Sequence, residues 1–258
     1  MSQIAISNIA HHMITCLETP PDYDISLYQF YTREPLFFMP EVIINGPEGR
    51  LECRYMPGPD QNAPTALILH PEPDKNGTMN NRVTFSTYKL FQSRGFSVMR
   101  FNFRGVGRSQ GMFDNGEGEL SDAATAMDWL QSQHPSSNIC WIAGFSFGSW
   151  IGMQLLMRRP EITGFVSLSP PASSHDFTFL APCPASGLIV HGSKNEQVPH
   201  PKVDALVEKI SKQKGVAIDV NLIDGANHFF STHLDEAMSA VSDYLDRTEN
   251  GAVMPNVD

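Results

Sequence analysis

The stretch "WIAGFSFGSW", Trp141 to Trp150, places a serine between two glycines at the end of an apolar run. The run that leads into it, "ICWIAGF" (139–145), is short and apolar at nearly every position, as a strand buried on both faces is. The run that follows, "FGSWIGMQLLMRRP" (147–160), is apolar on most sides and suits a helix packed against a sheet. Arg158 and Arg159 fall at its end, where cations suit the helix dipole, and Pro160 stops it. Strand, G-x-S-x-G and helix together read as a nucleophile elbow. Glycines two positions either side of Ser146 let the backbone pass closely and leave the hydroxyl at the tip. A plain turn is the bland alternative, and the strand before and helix after weigh against it.

Outward from the elbow, more short apolar runs read as buried strands: "TALILH" (65–70), "FSVMRFNF" (96–103), "GFVSLS" (164–169), "GLIVHG" (187–192) and "VAIDVNLI" (216–223). "EVIIN" and "LECRYM" (41–56) flank "GPEG" and read as a hairpin. Helical patterns lie between the runs. Leu120, Ala123, Ala124, Met127 and Leu130 share one face; Leu234, Ala237, Met238, Val241, Tyr244 and Leu245 share another. Strand–helix alternation after a hairpin predicts an α/β fold: an open, mostly parallel sheet with helices on both faces. Ligands of such sheets bind beyond the carboxyl ends of the strands.

The chain has 258 residues and a formal charge of −10, which argues against nucleic acid or an anionic membrane as its main partner. Cys16, Cys53, Cys140 and Cys183 form no CxxC pair, so neither a metal knuckle nor a disulfide framework is indicated. The start lacks the pattern of a secretory signal, and no run approaches a transmembrane helix in length; a reducing cytoplasm is the default location. Residues 1–38 have no clean period. Either their aromatics cover a surface or a partner, or the protein in the cell starts at Met39. The domain is expected over 39–249, with a tail over 250–258.

A serine nucleophile needs a base, and on this architecture the order is Ser, then Asp or Glu, then His. His228, in "DGANHFF", follows the last expected strand and precedes the last helix, where the base belongs. His70 ends a strand and serves its loop, and His191 is placed to support the site. His11, His12, His134, His175, His200 and His233 read as solvated.

With these residues the sequence resembles the α/β-hydrolase superfamily, in particular its small cap-less bacterial members related to dienelactone-hydrolase-like esterases. The resemblance covers roughly residues 40–248 and rests on "LILHPEPDKNGTMNN" (67–81), "RFNFRGVGRSQG" (100–111), "GFSFGSWIG" (144–152), "LIVHGSKNEQVP" (188–199) and "GANHFF" (225–230). It implies two oxyanion donors: the N–H of Phe147, and by position that of Glu72, since Pro71 and Pro73 have none. It also implies that "RGVGRSQG" is a structural turn shaped by Arg104 rather than a dinucleotide loop; Gln110 stands where a third glycine would. The segment between the sixth and seventh strands is too short for a cap domain. Open members of this kind often pair, so the resemblance allows a homodimer.

The chain departs from the family pattern at one position. After the seventh strand the pattern H-G-x-x-D-x-x-V-P is matched by His191, Gly192, Val198 and Pro199, but the acid position holds Asn195. Three readings stand. Glu196 reaches His228 in its place; the site runs on Asn195 with reduced activity; or the acid comes from elsewhere, such as Asp224, or is absent. The expected function is a carboxylic-ester hydrolase with an acyl-enzyme intermediate on Ser146, acting on a small-molecule ester and needing no metal or organic cofactor. The alternatives are a catalytically impaired binding protein of hydrolase shape, and an acyltransferase or peptidase on the same fold.

Overall fold

The computed structural model describes residues 41–180, 183–211 and 215–248. The expectations for residues 1–38 and 250–258 lie outside them. Eight strands form one sheet: β1 (Glu41–Gly46), β2 (Gly49–Met56), β3 (Thr65–Leu69), β4 (Ser97–Phe101), β5 (Cys140–Phe145), β6 (Gly164–Leu168), β7 (Gly187–Gly192) and β8 (Ile218–Ile223). Their spatial order is β1-β2-β4-β3-β5-β6-β7-β8. The β1–β2 hairpin is antiparallel, β2 runs antiparallel to β4, and every later pairing is parallel. This is the open, mostly parallel sheet expected from the strand–helix alternation, with the expected antiparallel hairpin at one edge.

Side-chain alternation splits the core in two. Leu67, Leu69, Met99, Phe101 and Ile142 point to one face, under α2 (Glu117–Gln133), α3 (Phe147–Leu156) and α4 (His200–Ile210). Ala66, Ile68, Val98, Trp141 and Ala143 point to the other, under α1 (Arg82–Ser93) and α5 (Leu234–Arg247). Successive strand residues face opposite ways, so a sheet covered on both sides needs the unbroken apolar runs seen in the sequence. Helices α1 and α4 were not singled out by periodicity, because threonines interrupt the apolar face of α1 and that of α4 is only Val203, Leu206 and Ile210.

One strand departs from expectation. The run 216–223 read as buried, but β8 is the open edge of the sheet, and Val220 and Leu222 are exposed. Its polar residues Asp219 and Asn221 already break the apolar run. Between β6 and β7 the regular structure among the described residues is a single 3₁₀ turn, Thr178–Leu180, with no helical cap inserted there among them.

The loop after β4 is structural, as the resemblance implied. Asp122 on α2 accepts from the Arg104 backbone N–H at 3.0 Å, from Nε at 3.0 Å and from Nη2 at 2.8 Å. Both residues are buried. The pair closes the turn onto α2.

Candidate active site

Ser146 lies between β5 and α3 with φ 52° and ψ −121°. A non-glycine residue in that region carries strain, typically about 1–3 kcal/mol, which the surrounding packing must hold. The two glycines explain how. A Cβ on Gly144 would lie 2.4 Å from the Gly148 carbonyl carbon. A Cβ on Gly148 would lie 2.5 Å from the carbonyl oxygens of Leu69 and His70. Strand, turn and helix are therefore in backbone contact, and the Ser146 N–H donates to the Leu168 carbonyl of the neighbouring strand.

Across the strand ends, the loop after β8 presents His228. Its Nε2 is 3.0 Å from Ser146 Oγ. The ring is buried against Phe145 and Phe229, and its own backbone carbonyl accepts from Ser169 Oγ at 2.9 Å. Burial first, then the nearby His191 and Lys75, lower its pKa to about 4.

On the other side of the ring, Asn195 Nδ2 is 3.1 Å from His228 Nδ1. Asn195 is buried, and its Oδ1 accepts from the backbone N–H groups of Gln197 at 3.1 Å and Val198 at 3.0 Å. His191, also fully buried, donates from Nε2 to the Val198 carbonyl at 2.9 Å and so braces the same loop. Glu196 faces solvent and makes no hydrogen bond or ion pair to His228. Asp224 accepts from Ser193 Oγ at 2.9 Å, tying the β8 loop to the β7 loop. The structure thus brings together Ser146, His228 and Asn195, and leaves Glu196 and Asp224 outside.

The loop after β3 forms the remaining wall. His70 is fully buried; it donates from Nδ1 to the Pro71 carbonyl at 2.6 Å and accepts at Nε2 from the Phe103 N–H at 3.0 Å. The Glu72 carboxylate pairs with Lys75 at 2.6 Å. Glu72 and Phe147 both line the cavity that holds Ser146 and His228, a hollow of about 130 Å³. Two expectations on histidines are corrected. His134 is buried, with Nε2 2.5 Å from the Tyr55 hydroxyl, because the end of α2 folds back onto β2. His175 is half-buried against Trp150 at 4.5 Å between ring centroids and lines the cavity. The apolar neighbours of His175 in space were not visible from its polar neighbours in sequence. Among the described residues no group of three His, Cys, Asp or Glu side chains is arranged to hold a metal ion. No helix among them is long and apolar enough to cross a membrane.

A family model described as X-Pro dipeptidyl-peptidase (S15 family) matches residues 50–229. The chain belongs to this family of α/β serine hydrolases. A crystal structure from Agrobacterium tumefaciens, described as a candidate α/β hydrolase of unknown function, is 57% identical to this hydrolase, with a TM-score of 0.82. That match covers 84% of this chain and 100% of the other. A Xanthomonas campestris α/β serine hydrolase without a lid is 29% identical over 87% of this chain and 100% of its own, with a TM-score of 0.72. Among curated proteins, the lysophosphatidylserine lipase ABHD12 of Rattus norvegicus is 25% identical over 68% of this chain. The hydrolase spans only 47% of that relative's length. Absence of a lid in the Xanthomonas structure agrees with the lack of a helical cap between β6 and β7 among the described residues here.

Proposed function

We propose that this hydrolase cleaves small carboxylic esters through a covalent acyl-enzyme on Ser146. The observation that carries the reading is the 3.0 Å contact between Ser146 Oγ and His228 Nε2 at a strained strand-to-helix turn. Ser146 attacks the ester carbonyl, and His228 takes the hydroxyl proton and returns it to the leaving alcohol. The N–H groups of Phe147 and Glu72 receive the oxyanion. Phe147 is the first residue of α3, where helix N–H groups lack internal partners and the dipole favours negative charge. Water then releases the acyl group by the same route. A cavity of about 130 Å³ at an open strand end suits a short acyl group better than a long chain.

A second reading, a hydrolase-shaped binding protein, is favoured by Asn195, which puts a neutral amide where an acid would stabilise the imidazolium. A fluorophosphonate probe separates the two, since it marks activated rather than merely exposed serines. The ester-hydrolase reading expects label on Ser146 and slow turnover of p-nitrophenyl acetate, both lost in Ser146→Ala. Folded protein that takes no label, or Ser146→Ala protein that keeps most of the turnover, would overturn it. Acyl transfer and peptide or lysolipid cleavage are tested with the same preparation by offering an acyl acceptor, a peptide amide and a lysophospholipid.

A further inference from the structure

We propose that Asn195 is a positioning residue that holds His228 mainly in the tautomer with its proton on Nε2, which slows the reaction at Ser146. This rests on the reading of Ser146 as nucleophile, and it assigns what limits that site.

The orientation of the Asn195 amide follows from its neighbours. Two backbone N–H groups, of Gln197 and Val198, point at one end of the amide, and only an oxygen can accept from both. The loop carrying them is fixed from behind by the His191-to-Val198 bond. The NH₂ group is therefore left to face His228 Nδ1 at 3.1 Å. A donor at Nδ1 requires a lone pair there, so the neutral ring carries its proton on Nε2. That proton is directed at Ser146 Oγ, 3.0 Å away, and the hydroxyl accepts instead of donating. A ring in this state has no lone pair with which to take the serine proton.

The productive tautomer needs the proton on Nδ1, facing the Asn195 NH₂ donor to donor. Turning the amide to offer its oxygen would set its NH₂ against the two backbone N–H groups. A carboxylate at this position has no such conflict. One oxygen keeps both backbone N–H groups, the other accepts Nδ1–H, and Nε2 is left free to accept from Ser146. The site is thus complete in geometry and slowed by one amide, because only the minor tautomer can take the serine proton.

The test uses the full chain labelled with ¹⁵N-histidine at neutral pH, with His228→Gln identifying the signal. The expected wild-type spectrum has a protonated Nε2 and an unprotonated Nδ1 at His228. Asn195→Asp should reverse the pair and raise kcat for p-nitrophenyl acetate at unchanged KM. The gain should be at least about 100-fold, and up to the ~10⁴ that the reverse change costs a serine protease. Wild-type protein with the proton on Nδ1 would overturn the proposal and leave the serine-hydrolase reading standing. So would reversal of the tautomer in Asn195→Asp with labelled Ser146 but no gain in rate. If the tautomer reverses while neither label nor turnover appears, the tautomer assignment is upheld and the nucleophile reading fails. The wild-type spectrum decides the tautomer even if the variant does not fold.

Discussion

His70 offers a direct test of how the loop after β3 is held. Its ring is fully buried, donates to Pro71 and accepts from Phe103, and lies 4.6 Å from the Phe103 ring between centroids. His70→Ala strands one backbone carbonyl and one backbone N–H, each worth about 1–3 kcal/mol when left unpaired and buried. The lost ring contact adds about 0.5–1.5 kcal/mol. The expected destabilisation is about 2.5–7.5 kcal/mol at pH 8, measured by equilibrium urea unfolding. The same residue carries a pH signature. Burial lowers its pKa from 6.5 to about 3, outweighing the bond to Pro71, which raises it. The unfolded chain therefore binds a proton that the folded chain refuses. The stability contributed is fully present above pH 6.5 and is lost as pH falls toward 3. At pH 5 the loss from one such histidine is about 2 kcal/mol relative to pH 8. Wild-type protein suffers that loss and His70→Ala does not, so the penalty of the substitution should shrink by about 2 kcal/mol on going to pH 5. His70→Gln, which offers an acceptor and a donor, should recover part of the stability but none of the pH slope. A penalty below about 1 kcal/mol at pH 8, or one that is the same at both pH values, would refute this account of the loop.

Three further outcomes are expected. Glu196→Gln should leave ester turnover unchanged, since the exposed carboxylate does not touch His228; a fall of about tenfold, or 1.4 kcal/mol in the barrier, would make Glu196 the acid after all. Asp122→Ala should cost about 3–5 kcal/mol in urea unfolding by leaving the buried Arg104 guanidinium without its partner, and a loss within the range of surface substitutions would contradict the structural role of that loop. The pH–rate profile of kcat/KM should stay flat from neutrality downward and fall only as His228 protonates near pH 4, because burial, His191 and Lys75 all oppose its charge. An inflection near pH 7 would mean that a carboxylate stabilises the imidazolium.

The elbow was legible because its requirements are local. A strand, two glycines, a serine and a helix within about twenty residues dictate a sharp turn wherever the sheet lies, and "ICWIAGFSFGSWIG" contains them all. His228 was legible at one remove, since chain order and the alternation of elements put its loop at the same sheet end. The buried central strands announced themselves by unbroken apolar runs. Helices α1 and α4 did not, because their apolar faces are short or broken by threonine. The burial of β8 was misread because a run of apolar residues does not say whether a strand has one neighbour or two; that depends on the strand order of the whole sheet.

The sequence alone determined the fold class and singled out Ser146, His228 and the anomaly at Asn195. It could not decide which residue reaches His228 Nδ1. Glu196 is the better acid, but consecutive residues in a loop point in different directions, and the two backbone N–H groups of Gln197 and Val198 turn Asn195 inward and leave Glu196 in solvent. The amide is oriented within its own loop by the Gln197 and Val198 N–H groups, but the resting tautomer of the base depends on His228, from the loop after β8, meeting that amide within hydrogen-bond range. Such an arrangement exists only once β7 and β8 are paired and their loops have closed over one another.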